Sequence, residues 1–255
     1  MADSARYSVK AAETTFVVLD GLKELNGVGV TELAAHLDIP KSTVHSYLST
    51  LEQEEFVVKE DGAYHVGVRF LEYGAHARKR RDVYEIAKPE IERLAEETGN
   101  LANLMIEEHG RGVYLHRGEG ERAVKAINNQ VGTRVYIHST AMGKSILAHL
   151  PSDRVDAIIE LYGLPPITAN TIIDRATLQK ELDNIRERGY AIDEQELVDG
   201  LWCIGAPVLR KTGGVYGAVS VAGPLNRFNG VYFEEVMPDK VMETANVVEL
   251  NLTYS

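Results

Sequence analysis

The sequence is poor in cysteine and has no long apolar run. Its 255 residues include one cysteine, Cys203, which excludes an internal disulfide and a zinc site built from cysteines. No stretch of about eighteen consecutive apolar residues is present, and Met1 is not followed by a basic and then apolar leader. We therefore expect a cytoplasmic protein that neither spans a membrane nor is secreted.

The sequence also lacks an excess of positive charge. It holds 27 lysines and arginines against 38 aspartates and glutamates, which gives a formal net charge of −11. Residues 1–67 alone carry five basic and eleven acidic side chains. Proteins that bind DNA usually rely on basic groups, because these displace counterions from the phosphates. The charge balance therefore either argues against DNA binding or indicates a protein that works in concentrated salt.

Concentrated salt would remove this conflict. At 1 M salt, charges are screened beyond about 3 Å, so bulk positive charge contributes little to DNA affinity. An acidic, hydrated surface also helps to keep a protein soluble under those conditions. We therefore hypothesise that the chain comes from a halophilic archaeon.

Residues 30–67 have the pattern of a winged helix-turn-helix. The inner face of a first helix, which we expect Thr31 to cap, is formed by Leu33, Ala34 and Leu37. Pro40 suits the start of a second helix, whose buried stripe at i, i+4 and i+7 consists of Val44, Leu48 and Leu51. The dipeptide Asp61-Gly62 lies between two short strands and favours a type I′ hairpin, which would form the wing.

The outer face of the second helix supplies candidate DNA contacts. Lys41 and the free amides at the helix start suit phosphates. Side chains that can reach base edges or thymine methyl groups are Ser42, Thr43, His45, Ser46 and Tyr47. Two of them have an alternative role, because Thr43 can simply pack or cap the helix and Tyr47 can belong to the core.

The length fits two modest domains. We predict a winged helix-turn-helix domain at residues 1–68, a linker helix at 69–81 that ends in the basic run Arg78–Arg81, and a second domain at 82–255. In the second domain, strands and helices alternate in an order that fits an antiparallel sheet with helices on its faces, so the fold class is α+β. The predicted helices are 82–99, 141–150, 152–162, 174–188 and 239–250, and the clearest strands are 190–194, 203–210 and 215–222.

Three segments of the second domain are candidates for chemistry. Residues 137–145 contain Gly-Lys-Ser, but a phosphate loop requires glycine where His138 stands, so only a small anion site at the helix start remains. Residues 193–207 form an acidic loop that enters an apolar strand. Residues 217–224 form a strand of small side chains, which either packs closely or leaves room for a ligand. The histidines lack metal-ligand spacing, so we expect no metal and no cofactor.

The helix-turn-helix resembles that of the IclR family of transcriptional regulators. The matching residues are Leu33-Ala34, Leu37, residues 39–45 with the sequence Ile-Pro-Lys-Ser-Thr-Val-His, and Thr50-Leu51-Glu52. The family often has arginine after this histidine, where the present chain has Ser46. The three segments described above resemble the family's effector-binding domain and occur in its order, so the resemblance extends from Ala12 to Leu250.

The resemblance implies a GAF- or PAS-like α/β domain that binds a small organic metabolite, such as an organic acid, a sugar acid or an aromatic. By position, its pocket would use Ala141, Met142, Asp193, Cys203 and Ser220, with apolar walls formed by Val124, Ile127, Val135 and Leu201. Ala222 replaces a second serine of some members, and Met142 is bulkier than the usual alanine. These differences argue against a simple short keto acid as the ligand.

We therefore expect a homodimeric or homotetrameric regulator of a catabolic operon, which binds double-stranded DNA and is controlled by a metabolite. Two alternatives are a second domain that serves only for oligomerisation and a redox sensor that acts through Cys203. We do not expect an enzyme, because no histidine lies near Cys203 in the sequence to activate it as a nucleophile.

The halophilic hypothesis predicts a strong response to salt. Screening weakens the repulsion within an acidic chain, so raising KCl from about 0.1 M to about 3 M should raise the melting temperature and maintain solubility. Thermal unfolding and turbidity, measured across that range, test the prediction. Melting and solubility that do not change with salt would contradict it.

Overall fold

The computed structural model describes residues 8–123, 130–227 and 236–254. The chain divides into two compact units, Met1–Ala77 and Arg78–Ser255. This boundary lies within the segment 69–81 that the sequence predicts as a linker helix. Among the residues that the structure describes, no helix combines the length and the apolar character that a membrane crossing needs.

The first unit is a winged helix-turn-helix, as predicted. Its elements are α1 (Lys10–Leu25), α2 (Val30–Leu37), α3 (Lys41–Gln53), β1 (Val57–Glu60) and β2 (Ala63–Val66), followed by α4 (Phe70–Lys79), which runs across the boundary between the units. The strands β1 and β2 pair antiparallel. Asp61 and Gly62 between them have φ values of 49° and 86°, and positive φ at both turn residues defines the predicted type I′ hairpin.

The core of the first unit contains the predicted apolar stripe. The side chains of Val44, Leu48 and Leu51 are buried on α3, together with Leu33 on α2 and Tyr64 on the wing. The predicted cap at Thr31 is wrong, because α2 begins at Val30 after Gly29 and no side chain caps it. The helix starts before Thr31, so this residue already lies within the first turn.

The second unit is an antiparallel sheet with helices on both faces, and the predicted α+β class is confirmed. Its elements are α5 (Asp82–Thr98), β3 (Leu101–Glu108), β4 (Arg111–Glu119), β5 (Arg134–Tyr136), a 3₁₀ turn (Ile137–Ser139), α6 (Ala141–Ala148), α7 (Ser152–Tyr162), α8 (Arg175–Arg188), β6 (Ala191–Glu194), β7 (Leu201–Leu209), β8 (Val215–Pro224) and α9 (Met237–Tyr254). The strand order is β5-β4-β3-β8-β7-β6, and every neighbouring pair is antiparallel.

Two apolar clusters fill the spaces on either side of this sheet. One lies between the sheet and helices α5 and α9, where Ile91 and Val241 are fully buried. The other lies between the sheet and helices α6, α7 and α8, where Met105, Ile146 and Leu178 are buried. Among the residues that the structure describes, both faces of the sheet are therefore covered at its centre, and the α6 side contains a cavity.

Helix α6 approaches the sheet closely because position 205 on β7 is glycine. A Cβ atom there would lie 2.8 Å from the backbone nitrogen of Met142, closer than real Cβ atoms come to other heavy atoms. The Ser145 hydroxyl of α6 also donates a hydrogen bond to the Gly205 carbonyl, at 2.9 Å. These contacts fix the first turn of α6 against the middle of the sheet.

Candidate functional site

The outer face of α3 displays most of the predicted DNA-contacting side chains. Lys41, Ser42, His45 and Ser46 are exposed, whereas Thr43 and Tyr47 are partly buried. Tyr47 packs against the apolar core of the first unit, in agreement with the alternative role considered for it. The Ser46 hydroxyl donates a hydrogen bond to the Ser42 carbonyl at 3.0 Å. It could donate to a base only after this bond within the helix is broken.

The charges on α3 are segregated along its length. The ten residues from Lys41 to Thr50 contain no acidic side chain, whereas Glu52, Glu54 and Glu55 follow at its C-terminal end and are exposed. No side chain caps the N-terminus of the helix, which leaves its first amides available to an anion. The N-terminal half of α3 therefore carries Lys41 and uncapped amides and no carboxylate of its own, despite the acidic chain.

In the second unit, the six predicted effector-binding residues surround one cavity. They are Ala141, Met142, Asp193, Leu201, Cys203 and Ser220, and the remaining wall is formed by Leu101, Asn103, Tyr114, Arg117, Thr140, Leu197 and Ala222. Of the other predicted walls, Val135 belongs instead to the apolar cluster under α6, and Val124 and Ile127 lie outside the described residues. Whether the six residues bind an effector stays a prediction.

The floor of the cavity consists of two rows of side chains that cross the sheet. One row is formed by Leu101, Ala222, Cys203 and Asp193, which are consecutive partners across β3, β8, β7 and β6. In the other row, Asn103 on β3 pairs with Ser220 on β8 and with Arg117 on β4. Directly paired residues of an antiparallel sheet share one face, so the sheet register explains why these side chains meet.

The first turn of α6 covers this floor. Thr140 is its N-cap, and the Thr140 hydroxyl accepts a hydrogen bond from the Gly143 amide at 2.9 Å. The amides of Ala141 and Met142 lie in the same turn, where a helix binds anions through its N–H groups and its dipole. The free space left by the side chains is about 20 Å³, which holds about one water molecule. A ligand of several atoms must therefore displace a side chain, and the flexible Met142 is well placed to move.

Asp193 is buried in the cavity wall, with a relative exposure of 2%. Burial raises the pKa of its carboxyl from 3.8 to about 7, although the hydrogen bond that it accepts from the Glu196 amide opposes this shift. At neutral pH the carboxyl is therefore protonated in a large fraction of molecules, and it can then donate a hydrogen bond to an anionic ligand.

The neighbouring Cys203 thiol is kept protonated. Burial raises its pKa well above the ordinary value, and the charge of Asp193 acts in the same direction. Since the thiolate is the reactive form of cysteine, this environment weakens the redox-sensor alternative and any role for Cys203 as a nucleophile.

A buried ion pair behind the cavity was not predicted. The Lys144 ammonium of α6 donates to the Glu196 carboxylate, and both side chains are almost fully buried. Desolvation raises the pKa of Glu196 even though Lys144 lowers it. The Thr171 hydroxyl donates to the Glu196 carbonyl at 2.7 Å. Together these bonds hold residues 193–196 against α6 and so position Asp193.

The sequence also failed to indicate Asn103 and Arg117 as cavity residues. Alternation along β3 places Asn103 on the same face as Leu101 and could have revealed it. Simple alternation along β4 would place Arg117 on the wrong face of the sheet. Leu104 pairs with His116 and Met105 pairs with Tyr114, so Leu115 is an extra residue on β4. This β-bulge turns Arg117 towards the cavity.

The buried carboxyl of Asp193 should make stability depend on pH. Between pH 3.8 and about 7, the folded protein binds a proton that the unfolded chain has released, so the free energy of unfolding falls as pH rises through this range. Asp193→Asn keeps the accepting oxygen without the charge. We expect this variant to be more stable than the parent at pH 8, by on the order of 1–3 kcal/mol, and the difference to shrink towards pH 5.

Urea unfolding between pH 5 and pH 8 measures this effect. The matched control is Asp199→Asn, which changes an exposed aspartate in the segment that follows β6 and should leave the pH dependence unchanged. An Asp193→Asn variant with the pH dependence of the parent would show that Asp193 does not titrate in this window.

Both units match models of one protein family. Residues 11–61 match the IclR helix-turn-helix domain, and residues 75–249 match the C-terminal domain of bacterial IclR transcriptional regulators. A probable HTH-type transcriptional regulator, ArcR, of Halobacterium salinarum is 35% identical over 238 residues, which cover 92% of this chain and 90% of the relative. The transcriptional repressor AllR of Klebsiella pneumoniae is 31% identical, with 98% and 92% covered.

Solved structures agree with this assignment. The IclR protein of Thermotoga maritima superposes with a TM-score of 0.79 at 31% identity, covering 96% of this chain and 99% of the other. An IclR homologue from Microbacterium hydrocarbonoxydans, solved as a complex with 4-hydroxybenzoate, has the same fold, with a TM-score of 0.77 at 21% identity over 94% of this chain and all of the other. With both domains matched in order and relatives aligned along nearly the whole length, the chain belongs to the IclR family of transcriptional regulators.

Proposed function

We propose that the protein binds a DNA operator through α3 and regulates a catabolic operon in response to a small organic acid bound beneath α6. The observation that carries this proposal is the cavity itself, where hydrogen-bonding groups converge under the N-terminus of a helix. An ordinary core would fill that position with apolar side chains. The family assignment supports the DNA-binding part of the proposal, because it makes the chain a transcriptional regulator.

In this proposal α3 enters the major groove with its acid-free half. Lys41 and the first amides of the helix contact phosphates, and Ser42, Thr43, His45 and Ser46 lie against base edges. Tyr47 orients the helix from within the core. The wing carries Lys59, whose ammonium lies 5.0 Å from the centre of the Tyr64 ring and which is exposed beside the hairpin.

DNA binding requires more than one copy in this proposal. A single α3 with one lysine makes a weak contact, and two half-sites bound by a homodimer or homotetramer multiply it. The first unit has large exposed apolar side chains, including Phe16 at 65% and Leu71 at 72% exposure. In this proposal these side chains contact a second copy, because association would remove their apolar surface from water.

We also infer that the protein works at high salt. The acidic composition supports this, and so does the 35% identical relative from Halobacterium salinarum. In concentrated salt the electrostatic part of DNA affinity is reduced for any protein. Hydrogen bonds and apolar contacts made by the small side chains of α3 would then carry a larger share of the binding.

Two substitutions on α3 test the DNA interface. Lys41→Gln should weaken binding to the protein's own upstream DNA and to unrelated DNA alike, and should reduce the salt dependence by about one phosphate contact. His45→Ala should weaken only operator binding, by about tenfold, because it removes a base contact. Fluorescence anisotropy with both DNAs from about 0.2 M to about 3 M KCl measures these effects.

The matched control for Lys41→Gln is Lys10→Gln, which removes an exposed lysine at the start of α1. It should leave both affinities unchanged. If the wild-type protein prefers neither DNA at any salt concentration, or if the His45→Ala variant binds the operator as tightly as the parent, α3 does not read the operator.

For the effector, the groups around the cavity favour a carboxylate. The α6 amides, the Ser220 hydroxyl and a protonated Asp193 can all donate to its oxygens, while Leu201 and Met142 contact an apolar skeleton. The complex of the Microbacterium hydrocarbonoxydans homologue with 4-hydroxybenzoate supports an organic acid of that size. Binding would alter the spacing of the DNA-binding units in the oligomer and so change operator affinity, and the operator would change effector affinity by the same factor.

A second candidate is that the C-terminal domain serves only for oligomerisation. The small free space of about 20 Å³ in the cavity favours this view, since it holds about one water molecule. Thermal stability in the presence of small molecules separates the two candidates, because a domain that serves only for oligomerisation has no small-molecule ligand that would stabilise it.

Organic acids such as benzoate and 4-hydroxybenzoate should raise the melting temperature of the protein and change its operator affinity. Ser220→Ala should weaken binding of the acid by at least about tenfold, since a hydrogen bond to a charged group contributes about 1.5–3 kcal/mol. Ser152→Ala changes an exposed serine on α7 and is the control. Thermal shift followed by calorimetry measures both. No stabilisation by any aliphatic, aromatic or sugar acid would favour the oligomerisation platform.

A further inference from the structure

Asp193 brings an acidic group of the protein into the site that we propose for an acid. Its side chain lines the cavity from β6 with a relative exposure of 2%, and one carboxyl oxygen accepts a hydrogen bond from the Glu196 amide at 2.7 Å. None of the ion pairs between described residues includes Asp193. The buried carboxyl is therefore held by the backbone and not by a cation in direct contact.

The elements packed around this carboxyl carry other charged and titratable groups. They are Lys144 on α6, Glu196 after β6, Cys203 on β7, Arg117 and Tyr114 on β4, and His138 in the turn before α6. The charges of Lys144 and Glu196 act on Asp193 in opposite directions and form one ion pair. A guanidinium stays charged at every pH used here. Burial raises the pKa of the Cys203 thiol and lowers that of His138, so both groups are uncharged at pH 7.

An acid bound beneath α6 would place a second negative charge beside Asp193. The free space of the cavity is about 20 Å³, so little water would remain there to screen one charge from the other. Two carboxyl groups that share such a site do not both ionise, and the pair holds one proton more strongly than either group alone. The α6 amides and the Ser220 hydroxyl can donate hydrogen bonds to the acid, but they carry no full positive charge that would offset the repulsion.

We propose that the site takes up one proton with each acid that it binds, and that Asp193 carries this proton. This inference rests on the proposed effector site. The proton comes from the solvent and binds to a carboxyl oxygen of Asp193, which then donates a charge-assisted hydrogen bond to the carboxylate of the ligand. By linkage, the proton and the acid strengthen each other's binding by the same factor. A given concentration of acid therefore occupies more of the protein at lower pH.

The affinity for benzoate should fall as pH rises. The pKa of Asp193 is about 7 in the free protein, so at pH 6 most molecules already carry the proton, whereas at pH 8 most of them have to take it up. Benzoate itself is ionised throughout this range. Calorimetry on the full-length protein at constant KCl should therefore give a dissociation constant about tenfold higher at pH 8 than at pH 6.

The same titrations count the protons directly. When they are repeated at pH 8 in buffers with different heats of ionisation, the difference in heat should correspond to nearly one proton taken up for each benzoate bound. Asp193→Asn should bind benzoate without proton uptake and with no change of affinity between pH 6 and pH 8, because the amide donates the hydrogen bond without a titrating proton. The matched control is Asp199→Asn, which changes an exposed aspartate and should keep the proton uptake of the parent.

Benzamide provides a ligand control that needs no variant. It has nearly the shape of benzoate but no charge, so it brings no second negative group to the cavity. We expect it to bind without proton uptake at pH 8. Benzamide that takes up as many protons as benzoate would show that filling the cavity, rather than the charge of the acid, protonates the site, and the inference would be wrong.

The remaining outcomes distinguish this inference from the proposed function. If benzoate binds equally well at both pH values and takes up no proton, the inference fails while the effector site stands. Proton uptake that persists in Asp193→Asn would assign the proton to another group and also contradict the inference. If neither benzoate nor any other small acid binds, the effector site fails and the inference fails with it. The wild-type measurements decide between these outcomes even if Asp193→Asn does not fold.

Discussion

The close contact between α6 and β7 at Gly205 is the constraint on which the second unit depends. A single added carbon at that position would meet the backbone of Met142 and lift the helix from the sheet. With glycine there, the helix N-terminus lies over the sheet beside the row that contains Asn103 and Ser220, because Ser220 pairs directly with Gly205. The Lys144–Glu196 ion pair then holds the Asp193 segment against the same helix. The cavity is therefore a product of backbone approach, and its polar groups are buried because the helix is near.

In the first unit the main constraint is the position of the acidic side chains on α3. An acidic chain can present a surface to DNA only if its carboxylates lie away from the contact, and on α3 they begin at Glu52, beyond the exposed residues from Lys41 to Ser49. The exposed side chains of that half are mostly small and polar, so on entering a groove each has to replace its hydrogen bonds to water with hydrogen bonds to DNA. With two copies bound together, as proposed, affinity would depend more on fit and on that pairing than on bulk charge. This arrangement is compatible with high salt, where long-range attraction contributes little.

The parts of this structure that depend on hydrophobic periodicity and on turn-forming residues were predictable from the sequence. The stripe of Val44, Leu48 and Leu51 and the Asp61-Gly62 turn specify the winged helix locally, and the order of strands and helices specifies the α+β sheet. Sequence spacing could also suggest that Asp193, Cys203 and Ser220 share a site, through the resemblance to a family. It could not place Arg117, because the inserted Leu115 reverses the alternation of β4, nor the Lys144–Glu196 pair, whose members are 52 positions apart. Both depend on contacts between elements, and local propensity carries no information about them.

The small size of the cavity bears on how the proposed effector would act. The free space in the cavity is about that of one water molecule, so the proposed effector would require a more open state in which Met142 and its neighbours have moved. A ligand that bound both states equally would change nothing, whereas one that requires the open state shifts the population towards it. Groups that contact the ligand only after opening therefore contribute most to the response. In the proposed function, hydrogen bonds from the α6 amides and Asp193 to a bound acid would be of this kind, so the same contacts would both select the effector and drive the change in state.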